Sequence, residues 1–265
     1  MDWSRAKTIL IAAFLLLNVV LGYQLWTSKS SQLQLAADTT GMVEDTKRLL
    51  RQHNIQFPDS IPTETPKLKG ITVKFDEALT TDSKVRLQTH FKLNPLLSRS
   101  QYRDISARSE IRRMGEYQYD QVASSDGVYV FNQLYNATYP MFDVRLELYE
   151  EGGEIVAYRQ AYAEMDNGSG GDQKEQRVLP AYTALRSLVE NHPLDGATIT
   201  NIQLGYHGQL FNSQPQYMVP TWRVTIAGGG VYYIHGFNGA VEGPQGEQGA
   251  TDAANAAKKD QTGNK

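Results

Sequence analysis

The sequence predicts an α+β fold of mainly antiparallel strands with packed helices, placed after a single N-terminal transmembrane helix. Residues Thr8–Ser28 carry no charged side chain. Two later segments, Thr39–His53 and Pro180–Asn191, have the apolar periodicity of amphipathic helices. From Glu116 onward, segments rich in Tyr, Val and Phe are typical of strands. Helices that pack on antiparallel meanders indicate an α+β fold rather than a parallel Rossmann sheet.

The first element is an apolar helix long enough to cross a bilayer. Its apolar part, Ile9–Trp26, would extend over ~27–30 Å, about the hydrocarbon thickness of a membrane. Arg5 and Lys7 precede it, and positive charge beside a span favours the cytoplasmic side. We therefore expect residues 1–7 in the cytoplasm, a signal anchor over residues 8–28, and the rest of the chain outside the cell membrane.

A cleaved signal peptide is the alternative interpretation of this stretch. It requires a shorter apolar core that is followed closely by a small-x-small cleavage site. Here the apolar core is long, bulky residues follow from Tyr23 to Trp26, and the nearest small pair is Ala36–Ala37. A lipoprotein is excluded because the chain has no cysteine to acylate. The sequence favours the uncleaved anchor.

One face of the predicted membrane helix combines an amide with apolar and small side chains. Ile11, Asn18 and Leu25 recur every seven residues and so share one seam. The residues predicted to contact a partner helix are Ile11, Phe14, Leu15, Asn18, Gly22 and Leu25. A buried amide in hydrocarbon favours a partner across a helix interface, at ~0.5–2 kcal/mol, and Gly22 permits close approach. The alternative is that a very apolar span tolerates one asparagine.

Residues 29–115 are predicted to form a first outer α+β unit. A polar stalk, Ser28–Asp38, leads into the amphipathic helix Thr39–His53. Prolines at positions 58, 62 and 66 prevent further helix, and Gly70–Phe75 alternates like a strand. The pattern over Leu87–Leu97 mixes strand and turn signals and leaves its structure open.

Residues 116–242 are predicted to form a second outer unit, in which strands dominate. The predicted strands are EYQYDQV, GVYVFNQLY, FDVRLELYEE, EIVAYRQAYAEM, Ile199–Gly205, Tyr217–Ala227 and Val231–Phe237. Glu151–Gly152–Gly153 is typical of a tight turn, and the last two strands should pair as a hairpin across Gly228–Gly229–Gly230. The helix Pro180–Asn191 interrupts the strands, with Pro180 acceptable in its first turn. Residues 243–265 are rich in Gly, Ala and Gln and are predicted to be disordered.

Composition excludes several classes of function. The chain has 265 residues, of which 40% are hydrophobic and 21% charged, and its net charge is −3. A nucleic-acid-binding protein needs a concentrated basic surface, which this sequence lacks. The count of zero cysteines excludes disulfides, thiol nucleophiles, thiolate zinc sites and iron–sulfur clusters. The outer part must therefore depend on a hydrophobic core, and a chain of this length can bury one.

The sequence contains none of the familiar catalytic or ligand-binding motifs. No GxSxG, SxxK, P-loop or GxGxxG motif occurs. The histidines share no spacing that gathers metal ligands on one element; they are His53, His90, His192, His207 and His235. Two of them, His53 and His192, lie at predicted helix ends, where a histidine favours the helix dipole. We predict no catalytic residue, no metal site and no cofactor.

A group of carboxylates around one predicted turn allows two interpretations. Glu147, Glu150, Glu151 and Glu154 could serve acid–base chemistry or bind calcium. They lack the spacing of an EF-hand loop, and a solvated turn between two strands explains them better.

Several segments together resemble one known family. The N-terminal MDWSRAKTILIAAFLLLNVVLGYQL is similar to the opening of the YycI (WalI) family, and Val128–Tyr162 resembles its strand region. LGYHGQ (Leu204–Gln209), VPTWRV (Val219–Val224) and VYYIHGFNGAVEG (Val231–Gly243) are similar to its C-terminal end. The resemblance covers nearly the whole chain except the tail after Gly243.

This resemblance implies a single-pass membrane protein whose outer part has α+β units like those of YycH and of PepSY modules. It implies no enzyme, and action with a YycH-like protein on a WalK/YycG-type sensor histidine kinase that controls cell-wall metabolism. The alternative is an extracytoplasmic PepSY-like module that senses a wall peptide or restrains a secreted peptidase. The sequence leaves open whether the kinase would be inhibited or activated.

Overall fold

The computed structural model describes residues 13–15, 17–18, 39–94, 105, 110–166, 174–208 and 215–244. The chain divides into two compact units, Met1–Leu49 and Leu50–Lys265. All the strands described below belong to the larger unit.

The predicted amphipathic helices are both present. Helix α1 covers Thr39–Gln52, one residue shorter than predicted. Asn54 follows it with a left-handed φ of 52°, a conformation that ends helices and that asparagine adopts more readily than most residues. Helix α2 covers Ala181–Asn191 and begins directly after Pro180. A single 3-10 turn, Met114–Glu116, precedes the main run of strands.

The described residues form thirteen strands, numbered β1 to β13 in chain order. Their bounds are Lys67–Leu68, Ile71–Phe75, Val85–Phe91, Tyr117–Tyr119, Val128–Tyr135, Tyr139–Glu151, Glu154–Gln160, Ala163–Met165, Gln176–Arg177, Ile199–His207, Gln216–Ile226, Val231–His235 and Val241–Glu242. The segment whose structure the sequence left open therefore begins within a strand, β3.

Eleven of these strands form one sheet, and β1 pairs separately with β9. The main path of the sheet runs β13-β12-β11-β10-β6-β5-β4. On its flanks, β7 joins β6 to β3, and β2 joins β11 to β8. Every pairing between strands is antiparallel except that of β10 with β6, where Tyr206 and Met141 are parallel partners. The prediction of a mixed α+β fold with mainly antiparallel strands is confirmed.

The main hydrophobic core lies against the meander of β4 to β7 and β3. Along β6, Val144, Leu146 and Leu148 are fully buried and alternate with partly exposed neighbours, as the period of a strand requires. The buried members of this core are Leu87, Ile111, Met114, Tyr117, Phe131, Leu146, Leu148, Ile155, Tyr158 and Tyr162. Burial of each large apolar side chain stabilises the fold by ~1.5–3 kcal/mol.

The C-terminal strands form the predicted hairpin. Strand β11 pairs with β12 from Thr221↔His235 to Thr225↔Val231. Gly228 and Gly229 connect them with φ of 93° and 102°, values at which any L side chain is strained. Helix α2 packs on β11 and β12. Its buried residues are Ala181, Tyr182, Ala184, Leu185, Leu188 and Val189.

Strands from both sides of residue 115 share the large sheet. Strand β2 pairs with β11 and β8, and β3 pairs with β7. The predicted division into units 29–115 and 116–242 stays a prediction. Within the predicted tail 243–265, residues 245–265 lie outside the described residues.

Candidate functional site

Three of the six predicted helix-contact residues are described, and all three are exposed. Phe14 and Leu15 are 66% and 61% exposed, and Asn18 is also exposed. The Asn18 Nδ2–H donates to the Phe14 carbonyl oxygen at 2.9 Å, one helical turn earlier. The other three residues, Ile11, Gly22 and Leu25, lie outside the described residues. Leu17, on another face of the helix, is also 52% exposed, so exposure does not distinguish the seam, and the contact with a partner helix stays a prediction.

The predicted membrane span is described only at residues 13–15 and 17–18. Across the described residues, no helix combines the length and the hydrophobicity that a membrane crossing requires.

In the larger unit, one buried ion pair joins β11 to the chain after β4; we call it the arginine cluster, Asp120 with Arg223. Asp120 is 5% and Arg223 is 3% exposed. Two Arg223 N–H groups contact the two carboxylate oxygens, the Nη2–Oδ1 distance being 3.0 Å. Arg223 Nη2 also donates to Gln203 Oε1 at 2.7 Å, and Asn132 Nδ2 donates to Asp120. This bidentate geometry is the strongest form of charged hydrogen bonding.

Local structure fixes both members of the arginine cluster. The backbone N–H groups of Val122 and Ala123 donate to Asp120 Oδ1 at 3.1 and 3.2 Å. The Arg223 guanidinium lies over the Phe142 ring, 4.4 Å from its centroid. Burial alone would raise the pKa of Asp120, but the hydrogen bonds and charge of Arg223 outweigh burial, and the pKa lies below its ordinary value. The cluster is therefore charged wherever the protein is folded near neutral pH.

A second cluster, the histidine centre, consists of Asp143, His207, Tyr233 and Glu242. His207 is 9% exposed. Its Nδ1 lies 2.9 and 3.1 Å from the two Asp143 oxygens, and its ring stacks on Tyr233 with centroids 3.9 Å apart. On the other side, Nε2 lies 3.5 Å from Glu242 Oε2, too long for a good hydrogen bond. Nε2 is buried and makes no hydrogen bond in this structure.

A close approach of two strands brings His207 to Asp143. At Gly205, a Cβ atom would lie 2.4 Å from the Pro140 carbonyl oxygen and 2.6 Å from the Phe142 ring. Only glycine fits there, so β10 can lie directly beside β6, where the parallel Tyr206↔Met141 pair forms. Asp143 Oδ2 also accepts the Gly208 N–H at 3.0 Å, which fixes the carboxylate.

The environment of His207 favours its charged form. Burial lowers the pKa of an imidazole, but the hydrogen bond and charge of Asp143, together with the charge of Glu242, outweigh burial. The pKa of His207 therefore lies above its ordinary value. The pKa of the nearby His235 lies below its ordinary value because of burial.

A cavity of about 530 Å³ lies beside the histidine centre. Its lining residues come from β10, β11, β12 and β13 and the chain next to them: His207, Gly208, Pro215, Tyr217, Val219, Thr221, Tyr233, His235, Ala240, Val241 and Glu242. Strand β13 supplies one wall, so any movement of this strand changes the access to the cavity.

Two of the four carboxylates around the predicted turn accept hydrogen bonds from neighbouring side chains. Glu147 accepts two hydrogen bonds from Arg159, at 2.7 and 3.1 Å, and one from Tyr149 at 2.6 Å. Glu150 accepts one from Tyr129 at 2.5 Å. Within the described residues, no group of three or more His, Asp or Glu side chains is placed to hold a metal ion.

Sequence reasoning missed both buried charge clusters. His53 and His192 do lie next to helix ends, as predicted, whereas His207 was given no role of its own. Asp120 and Arg223 are 103 positions apart and share no local pattern. The one available signal was that LGYHGQ and VEG are both segments of the family resemblance, and these contain His207 and Glu242.

The fold and these clusters define a mixed α+β protein, mostly sheet, whose buried charges join distant strands. A family model described as YycI protein matches residues 30–237, and the chain therefore belongs to the YycI family. This is a family of regulatory accessory proteins associated with the WalK/YycG two-component system. A search of curated proteins found no match.

Two solved structures show weak likeness. The C-terminal domain of Bacillus megaterium YpeB is 10% identical over 76% of this chain and 96% of its own, with a TM-score of 0.33. An uncharacterised protein from Eubacterium rectale is 11% identical over 63% of this chain and 55% of its own, with a TM-score of 0.31. TM-scores this low do not establish a shared fold.

Proposed function

We propose that this chain is a membrane-anchored, non-enzymatic regulator of a WalK/YycG-type sensor histidine kinase and acts together with a YycH-like protein. The observation that carries the proposal is the match of residues 30–237 to the YycI family. That family is associated with this kinase system, which controls cell-wall metabolism. The chain would act through its N-terminal helix and its outer domain together.

The anchoring part of the proposal is supported by the N-terminal sequence. Residues Thr8–Ser28 are uncharged, and Arg5 and Lys7 precede them, which favours a cytoplasmic N-terminus. The larger unit would then lie outside the cell membrane. Sequencing the N-terminus of the protein from membranes tests this: we expect Met1 or its processed neighbour, and a start after residue ~25–40 would contradict an uncleaved anchor.

Contact with the kinase is assigned to the seam that carries Asn18. Phe14 and Leu15, on the same side, present large exposed apolar surface to a partner. Asn18 uses one amide N–H on its own helix, and an asparagine amide has two donors and an acceptor oxygen. In hydrocarbon such a group contributes ~0.5–2 kcal/mol to helix association.

Reconstitution of the full-length kinase in liposomes, with and without this chain, tests the regulatory role. We expect the rate of kinase autophosphorylation to change when the chain is present. Asn18→Leu keeps the size and raises hydrophobicity, so insertion should survive while association weakens by up to ~1–2 kcal/mol. Leu16→Ile, on another face of the helix, is the matched control and should behave as the wild type. An unchanged rate with the wild-type chain would contradict the proposal.

A second candidate is an extracytoplasmic, PepSY-like module that binds a wall peptide or restrains a secreted peptidase. The cavity of about 530 Å³ beside the histidine centre favours it. Coexpression of residues 1–30 alone with the kinase separates the two candidates. Retained regulation by this segment assigns the signal to the helix, whereas complete loss, together with peptide binding by the outer domain, assigns it to the module.

A further inference from the structure

His207 lies between two carboxylates, and only its doubly protonated ring can donate to both. Asp143 is 2.9 Å from Nδ1, and Glu242 is 3.5 Å from Nε2. A neutral imidazole carries one N–H, on one nitrogen or the other, and an ionised carboxylate only accepts. Either neutral tautomer therefore sets a bare ring nitrogen against a carboxylate. The charged ring satisfies both partners, and the neutral ring repels one of them.

Glu242 is the carboxylate that is free to move away. Asp143 is held by the Gly208 N–H and lies within the long strand β6. Glu242 belongs to β13, which is two residues long and is the last strand in the described chain. Strand β13 pairs with β12 through Tyr233↔Glu242 and Ile234↔Val241. A strand this short has few backbone hydrogen bonds, and it also packs on helix α2. The charge interaction of Glu242 with His207 adds to these contacts.

The other groups around His207 do not titrate in the same pH range. Burial raises the pKa of Tyr233, so its phenol stays neutral through neutral and mildly alkaline pH. His235, in the same cavity wall, has a lowered pKa and is neutral in that range. Arg145 on β6 and Arg223 on β11 act on Tyr233 and remain charged throughout. Of the groups named here, His207 is therefore the one whose charge changes between neutral and mildly alkaline pH.

We propose that His207 is a proton-dependent latch that holds β13 against β12 when protonated and releases it when neutral, thereby widening the adjacent cavity. In the closed state, the imidazolium bridges Asp143 and Glu242. In the open state, His207 keeps its bond to Asp143 and the Glu242 carboxylate turns to solvent. The latch goes beyond the proposed function and does not depend on it.

The direction of the pH effect follows from the raised pKa of His207. The latch is closed below the ordinary histidine range and opens as the pH rises through the raised value. One unit of pKa coupling between His207 and Glu242 corresponds to about a tenfold change in the opening equilibrium. Hydrogen exchange measures this equilibrium directly, because amides exchange only from open states.

The test is hydrogen exchange of the full-length chain in detergent, at about pH 6 and about pH 9, with rates corrected by an unstructured reference peptide. We expect protection of residues 231–244 to fall about tenfold at the higher pH, while protection of the paired strands β10 and β11 is unchanged. In Glu242→Gln, the amide can donate to a bare nitrogen or accept from an N–H. This variant should show equal protection at both pH values.

The matched control is Asp195→Asn, which removes a comparable carboxylate from His53 at the surface, 2.8 Å away. It should keep the wild-type pH dependence at residues 231–244. Equal wild-type protection at both pH values would overturn the latch, and so would a pH dependence that survives in Glu242→Gln. NMR titration of the His207 ring gives an independent readout, since Glu242→Gln should lower its pKa.

Discussion

The larger unit buries two base–carboxylate clusters that look alike and differ in one property. In the arginine cluster, Asp120 and Arg223 are 5% and 3% exposed, and both carry fixed charge. In the histidine centre, His207 is 9% exposed and its charge depends on pH. The arginine cluster has partners for both carboxylate oxygens. Each cluster also leaves one buried nitrogen without a hydrogen bond, Arg223 Nε in the first and His207 Nε2 in the second.

This difference makes the arginine cluster a permanent contact between strands and the histidine centre a contact that depends on pH. Arginine is never neutral near physiological pH, so the arginine cluster holds β11 to the chain after β4 under all such conditions. Histidine changes its charge in this range, so the histidine centre holds β13 only while it is protonated. The arginine cluster lies within the sheet, and the histidine centre reaches the edge strand β13.

Removal of the arginine cluster should have the largest effect on the unfolding free energy. In Arg223→Met, the Asp120 carboxylate stays buried without its cation, and breaking a buried pair in this way costs about 3–5 kcal/mol of unfolding free energy. Urea denaturation of the full-length chain measures the loss. Asp120→Asn combined with Arg223→Met removes both charges and should recover part of it. A double variant as unstable as Arg223→Met would show that packing over Phe142, rather than charge, dominates.

Asp143→Asn should have a smaller, pH-dependent effect. The asparagine amide oxygen can still accept from the Gly208 N–H and from His207, but the negative charge of the carboxylate is lost. Because the pKa of His207 is raised in the folded state, its stabilisation is present at low pH and is lost as pH rises through that value. We expect the unfolding free energy to fall by about 1–3 kcal/mol at about pH 6 and by much less at about pH 9.

Denaturation curves at the two pH values decide this prediction. The difference in unfolding free energy between the wild-type chain and Asp143→Asn should become smaller as the pH rises. An equal loss at both values would mean that the charge of His207 in the folded protein does not change between them, and the contrast between the two clusters would fail.

The smallest effect is expected at the surface pair of His53 and Asp195. Their distance of 2.8 Å resembles that in the histidine centre, but the side chains are 38% and 72% exposed. Exposed ion pairs contribute about 0–1 kcal/mol. Asp195→Asn should therefore change the unfolding free energy by less than about 0.5 kcal/mol. A larger change would show that geometry, and not burial, sets the strength of these pairs.

Local pattern was enough to predict much of the secondary structure. Helices α1 and α2 have apolar residues at helical spacing. The segments that form β11 and β12 are rich in strand-forming residues, and the glycines between them permit a turn. These features depend on neighbours in the sequence, and all four elements are found within a few residues of their predicted bounds.

Long-range contacts could not be predicted in the same way. The parallel contact of β10 with β6 depends on the fit of Gly205 against Pro140, which no local period reveals. The partners of Asp120 and His207 lie 103 and 64 positions away in the sequence. Such pairs form only when the whole sheet is assembled, so a single sequence carries little signal for them.

Disulfide crosslinking of the predicted membrane helix tests the proposed regulator most directly, and the absence of native cysteines permits single-cysteine variants. Helical spacing predicts that single cysteines at Ile11, Gly22 and Leu25 share the Asn18 seam and that those at Leu16 and Val20 do not. In membranes that contain the kinase and a YycH-like protein, we expect the seam positions to crosslink to a partner more strongly than Leu16 and Val20. Equal crosslinking at all five positions would contradict a specific contact of this helix with a partner.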